Sequence, residues 1–306
     1  MSETQKIYDF MGLRKGAAIF SLVLLLVSIG SLAFNGLKLG LDFTGGSLVE
    51  VGYEQAVELE DIRDKLKGSG YNDAVVQTFG SPTDILIRLG SDHDPKLGDK
   101  VVAALQADES NEITLRRNEF VGAQVGEELR EQGGLGMLVA LAMIMIYVAF
   151  RFQFKFSVGA VAALAHDVII VLGFFSVLQV EFDLTVLAAV LAVIGYSLND
   201  TIVVSDRIRE NFRKMRRGTP IEIMNSSLSQ TLGRTLVTSL TTLLVLLALA
   251  LFGGEMIHGF AVALLVGVFI GTYSSIYVAA NVLIAMNICK EDLLPPEKEE
   301  EVDDRP

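Results

Sequence analysis

The sequence predicts an α-helical polytopic membrane protein with six transmembrane helices and an α+β domain inserted between the first and second. Three observations predict it. Of the 306 residues 51% are hydrophobic and only 20% are charged, a balance outside the soluble globular class. Six apolar stretches, near 17–34, 134–150, 157–178, 184–204, 232–252 and 260–288, are each long enough to cross roughly 30 Å of hydrocarbon. The one long polar interval, 37–132, alternates short strand-like and helix-like runs.

Taken in order, residues 1–16 form a polar N-terminus and 17–36 the first transmembrane helix. Arg14 and Lys15 ahead of it and Ser31-Leu32-Ala33 behind it give the outline of a cleavable leader. Its 18 apolar-rich residues exceed the roughly 7–15 of a leader's apolar core, so it reads as a retained anchor. Within 37–132 the pattern is strand (47–53), helix (59–67), strand (74–79), strand (85–89), helix (97–107) and strand (113–120), punctuated by Gly68-Ser69-Gly70, Gly80-Ser81-Pro82 and Asp94-Pro95. That β-α-β-β-α-β order is ferredoxin-like. The segment carries 10 basic and 19 acidic residues, a charge of −9. Helices 2–6 fill 133–288, and 289–306 is an acidic tail that reads as disordered.

Orientation follows from lysine and arginine beside the short loops. Lys6, Arg14 and Lys15 precede span 1, Arg151 and Lys155 separate spans 2 and 3, and Arg207, Arg209, Arg213, Lys214, Arg216 and Arg217 follow span 4. The loops after spans 3 and 5 hold Glu181, Asp183, Glu255 and His258 with no lysine or arginine. Both termini are therefore expected in the cytoplasm and 37–132 outside it.

An ionisable residue inside a span costs roughly 2.5–3.5 kcal/mol on insertion scales and needs a reason to be there. Asp200 lies in Gly195-Tyr196-Ser197-Leu198-Asn199-Asp200-Thr201, where Tyr196, Ser197, Asn199 and Thr201 supply polar lining. The stripe suits a proton relay; a helix-end carboxylate touching headgroup water is the plainer alternative. Arg234 sits at matching depth in span 5, with Thr238, Thr241 and Thr242 following at helical spacing. It reads as a partner of Asp200 or as a snorkelling arginine. Asp167, beside His166 and near the middle of span 3, is the deepest charge, and proton carriage and a structural hydrogen-bonding role both fit it. Gly267, Gly271 and Ser275 in span 6 mark close helix packing.

Other chemistries are excluded by what is missing. A net charge of −12, with no mostly basic domain to carry a basic cluster, argues against nucleic acid. No phosphate-binding loop, nucleophile elbow or metal-ligand cluster occurs, His93, His166 and His258 are scattered, and Cys289 stands alone. Asp200 lacks the Gly-x-Gly setting of an intramembrane aspartyl protease. Neither an enzymatic activity, a metal nor a cofactor is expected.

Several motifs together are more specific: Leu41-Asp42-Phe43-Thr44-Gly45-Gly46 after span 1, Ala165-His166-Asp167-Val168, Gly195 to Asp200 continuing into Val203 to Phe212, and Gln230-Thr231-Leu232-Gly233-Arg234-Thr235. In these the chain resembles the SecF branch of the bacterial SecD/SecF protein-export family, of the resistance-nodulation-division superfamily, over nearly its whole length apart from the extreme N-terminus and the acidic tail. The resemblance implies an inner-membrane protein paired with SecD in a twelve-helix unit. That unit uses the proton motive force to assist the SecYEG translocon, with YajC and YidC as associated factors and unfolded exported polypeptides as cargo. It assigns proton flow to Asp200 and Arg234, and matches Asp42, Gly45 and Gly46 to the family's periplasmic entry motif. From the residues alone that motif is only a glycine-rich turn aiming the chain into the first strand. Three readings stay open: an ion-driven motor using H⁺ or Na⁺, a non-catalytic scaffold for translocon and insertion factors, and a drug exporter of the same superfamily, against which the small external segment counts.

Overall fold

The computed structural model describes residues 7–90, 94, 96–106, 112–215, 217–289 and 292. Lys6, His93, Pro95, Arg216 and the acidic tail, apart from Cys289 and Asp292, lie outside them. A single 3-10 turn at Met11–Leu13 leads into α1 (Arg14–Phe34), followed by a one-turn helix α2 (Leu41–Thr44). Then come β1 (Gly46–Tyr53), α3 (Leu59–Gly68), β2 (Val75–Phe79), β3 (Ser81–Leu89), α4 (Leu97–Gln106) and β4 (Ile113–Val121). Five long helices complete the chain: α5 (Ala123–Arg151), α6 (Phe154–Leu178), α7 (Leu184–Lys214), α8 (Pro220–Phe252) and α9 (Glu255–Ala285). Six helices, all but α2, α3 and α4, are long and apolar enough to span a membrane, so this is a multi-pass membrane protein.

The strands form one four-stranded sheet in the order β2-β3-β1-β4, antiparallel throughout. Central pairs Val49↔Ile87 and Val51↔Ile85 turn one face toward α3 and α4, where Ile62, Leu66, Val101 and Leu105 close a core. The alternation of β-strands puts Leu48 and Leu86 on the other face, where they meet Leu41 in a small apolar patch.

Helix boundaries depart from the hydropathy boundaries, for a physical reason. Hydropathy marks where water begins, whereas a helix continues until its backbone is capped. The segment expected to be external up to residue 132 ends in α5, which starts at Ala123, so nearly three turns bearing Glu127, Glu128, Arg130 and Glu131 extend the helix beyond the apolar stretch. Similarly, α7 runs ten residues past 204 through its basic end. The start of α8 lies at Pro220 and not near 232, because Thr219 and Glu222 form a reciprocal capping box with proline at the first helical position.

In the bundle, α6, α7 and α9 form the buried centre and α1, α5 and α8 the periphery. Small residues allow the central contact: a Cβ on Gly267 would lie 2.1 Å from Val193 Cγ2, and one on Gly271 would lie 3.0 Å from Ser197 Cβ. Gly267 and Gly271 thus serve packing against α7, as their spacing suggests. Large apolar side chains on the outer helices, such as Leu138 and Met143 on α5 and Leu240 and Leu244 on α8, are exposed; in a bilayer these surfaces face lipid or another chain.

Candidate functional site

Asp200 is buried on α7 with Thr201 beside it, and opposite on α8 are the buried hydroxyls of Thr235 and Ser239. Asp200 lies 14 residues before Lys214, the end of α7, and Arg234 lies 14 residues after Pro220, the start of α8. Because the two helices are joined by a short loop, equal distances from it put the residues at the same depth. The Ser239 hydroxyl is within hydrogen-bonding reach of the Asp200 carboxyl, and the Arg234 charge acts on it from farther off. Arg234 is nevertheless exposed on the outside of α8, and no ion-pair contact joins it to Asp200 among the described residues. One carboxylate oxygen, Asp200 Oδ2, is buried without a hydrogen-bond partner, as are Thr201 Oγ1 and Thr235 Oγ1. A buried carboxylate oxygen in that condition is costly as an anion and well placed to take a proton or a water.

The expected lining residues divide. Tyr196 donates to Ser239 Oγ at 3.4 Å and Thr272 of α9 hydrogen-bonds the same oxygen at 2.7 Å, so a hydroxyl chain runs beside Asp200 across three helices. Asn199 is exposed, facing away from this cluster. Thr238 is exposed too, and its hydroxyl returns to the carbonyls of Arg234 and Thr235 on its own helix, both at 3.0 Å. Ser197 turns toward a different aspartate.

That aspartate is Asp167, fully buried on α6. Its Oδ2 accepts from Ser197 on α7 at 2.5 Å and from Ser274 on α9 at 2.7 Å, and its Oδ1 pairs with His166 Nδ1 at 2.9 Å. His166 Nε2 continues to Ser21 of α1 at 3.2 Å, and Ser21 to the Tyr273 hydroxyl at 3.0 Å, which donates to the Ala17 carbonyl at 2.7 Å. Four helices thus meet on one polar thread. The two aspartates differ in kind: Asp167 has both oxygens satisfied, whereas Asp200 has one left over. Ser21, Ser239, Tyr273 and Ser274 belong to these clusters yet carry no sequence signal, since hydroxyls are common in membrane helices and their grouping is made only by packing.

At the sheet end of the bundle, Asp42, Gly45 and Gly46 form a joint. Gly45 (φ +69°) and Gly46 (φ +124°) occupy left-handed backbone that favours glycine. A Cβ on Gly45 would stand 2.7 Å from Ala123 Cα, and one on Gly126 2.8 Å from Gly45 N. The strand entering the sheet and the helix leaving it therefore cross backbone on backbone. Asp42 Oδ2 accepts from the Leu184 N–H, the first residue of α7, at 3.1 Å.

Comparison with known proteins identifies the family. The family description "Protein export membrane protein SecD/SecF, C-terminal" matches residues 100–288, and "SecD/SecF GG Motif" matches residues 30–57, which hold the Gly45-Gly46 joint. Protein translocase subunit SecF of Pseudomonas aeruginosa is 57% identical over 299 residues, covering 97% of both chains. The subunit of the same name from Vibrio alginolyticus is 52% identical, covering 98% of this chain and 96% of that one. Among solved structures, SecDF from Thermus thermophilus, described as a translocon-associated membrane protein, superposes with a TM-score of 0.85 at 39% identity over 94% of this chain. SecDF in a super-membrane-facing form superposes with a TM-score of 0.70. This chain spans 40% of the length of each SecDF chain. With two matching family descriptions and relatives more than half identical end to end, the chain belongs to the SecD/SecF family of protein-export membrane proteins.

Proposed function

We propose that this chain is the SecF half of a SecD–SecF unit in the bacterial inner membrane, which uses the proton motive force to draw polypeptides outward from the SecYEG translocon. YajC and YidC are its associated factors. Both termini lie in the cytoplasm and the β-sheet unit, a ferredoxin-like domain by strand order, outside; the basic loops after spans 2 and 4 support this orientation. The chain catalyses no covalent chemistry. The observation that carries the reading is Asp200: a buried carboxylate with an unpartnered oxygen, beside a hydroxyl chain and within the field of Arg234. Protonation of Asp200 removes the charge that Arg234 attracts, and the contact of α7 with α8 changes. One charge moved through 100 mV releases about 2.3 kcal/mol, enough to bias two packings of similar energy. That the two SecDF structures superpose on this chain to different degrees supports a family able to change shape.

The test is Asp200→Asn in the assembled complex. Its amount and partner binding are expected to stay near normal, while gradient-stimulated export into inverted vesicles is lost. Export that still responds to an imposed pH gradient would leave the scaffold reading, and a response to a sodium gradient alone would exchange the coupling ion.

A further inference from the structure

An ion-driven motor needs its charge-bearing helix fastened to whatever moves outside the membrane. The 31-residue α7 is that helix, with Asp200 in its middle and Leu184 at its outer end, about 24 Å away at helical rise. Among the described residues, several attachments join the sheet unit and its lead-in segment to the α6–α7 connection at this end. Gly40 N–H donates to the Phe182 carbonyl at 2.9 Å, and Phe182 N–H to the Lys38 carbonyl at 2.8 Å. Arg88 of β3 bonds Glu181 at 2.9 Å. Phe43 stacks on Phe182 and joins the core that holds Val186 and Leu187. Asp42 adds a hydrogen bond to α7 itself: its carboxylate takes the Leu184 N–H while Asp183 caps the Val186 N–H at 2.8 Å. Two orphan donors of the first turn are thereby held by one residue inside the helix hairpin and one from the sheet's own lead-in segment.

The attachment is narrow as well as strong. Beside it the sheet face away from α3 and α4, capped only by Leu41 among the described residues, stands off the helix ends across a cleft of about 490 Å³, with Leu48 and Leu86 on one wall and Asp183 and His258 on the other. A domain held at one edge and free at the other turns about its fastening. Behind Asp42, the Gly45-Gly46 joint admits no side chain and so transmits displacement of α2 into β1 without slack.

The geometry points to Asp42 as the coupling residue, a positioning residue that converts movement of α7 at Asp200 into rotation of the external domain. This rests on the ion-driven reading above. It separates two steps, ion uptake at Asp200 and displacement outside, which the same complex can be made to report individually.

The experiment uses the full complex in proteoliposomes, with labels at Glu60→Cys in α3 and Val177→Cys in α6 in a Cys289→Ser background. Asp200-dependent proton uptake and the gradient-dependent change in label separation are both recorded, together with export. Leu184→Pro deletes the donor from the other side of the bond while keeping the Asp42 charge, and proline suits the first helical position without disturbing the fold. It and Asp42→Leu are expected to keep proton uptake within about twofold, lose the distance change and reduce export about tenfold. Asp42→Asn retains an acceptor oxygen and is expected to restore the distance change and most export. An undiminished distance change in Leu184→Pro, or an Asp42→Asn variant as defective as Asp42→Leu, overturns the coupling role while the motor reading stands. Absence of Asp200-dependent proton uptake in the unsubstituted complex removes the motor reading, and the coupling role with it.

Discussion

Two aspartates on neighbouring helices, about one turn apart in depth since Asp167 bonds Ser197, are both buried in an apolar bundle and are assigned opposite work by their hydrogen bonds. Asp167 accepts from Ser197, Ser274 and His166, so Asp167→Asn turns one acceptor into a donor facing a partner that already donates. The expected loss is about 1–2 kcal/mol, a few hydrogen bonds at the strengths seen in membrane bundles, visible as a lower thermal midpoint in detergent with proton uptake retained. Lost uptake at an unchanged midpoint would instead make Asp167 a carrier. Outside the spans, Asp292 sits at about 2, held down first by the Lys155 hydrogen bond and then by Cys289. A depressed carboxyl contributes stability above its unfolded value, near 3.8, and loses it only as pH falls toward 2. The fastening of Asp292 to the start of α6 is therefore expected to be constant from pH 5 to 8. Amide exchange at Cys289, corrected for intrinsic rate, should show no titration there, whereas Lys155→Ala should speed it. The ionisable members of the candidate site were legible because each stands out from an apolar run. Their neighbours were not, since a 3.6-residue period groups Thr238 with Arg234 on one face without saying that the face points outward.

At the scale of elements, the order of strands and helices could be read from turn residues and alternation, and the ends of the long helices could not. Capping decides those ends, as at Thr219-Pro220, and hydropathy does not register it. The Gly45-Gly46 turn was legible as a turn; its purpose appears only when α5 is packed against it. Gly45→Ala forces a Cβ into Ala123 from a left-handed backbone, and strain of that kind costs about 1–3 kcal/mol. The variant is expected to displace β1 relative to α5 and to impair export more than Gly68→Ala, where nothing stands within 4 Å. Equal export by the two variants would count against a tight joint.

For the whole molecule, the sheet unit carries its own core of Val49, Val51, Ile85, Ile87 and the α3–α4 side chains, and its surface is strongly acidic. Residues 38–122 alone are expected to give a soluble monomer with a cooperative melt; a coil-like spectrum would show that the membrane half is needed for folding. The membrane half is less self-sufficient. Almost none of α5 is buried within this chain; it is held near its two ends, through Gly126 against Gly45 at one and through Val148 in the core at the other. A helix so tethered owes its placement in the bilayer to whatever lies alongside it. Synthesis of this chain is thus tied to supply of a mate: copies made in excess would carry a loose helix that membrane quality-control proteases can seize, and the surviving amount in the cell would follow the scarcer of the two proteins.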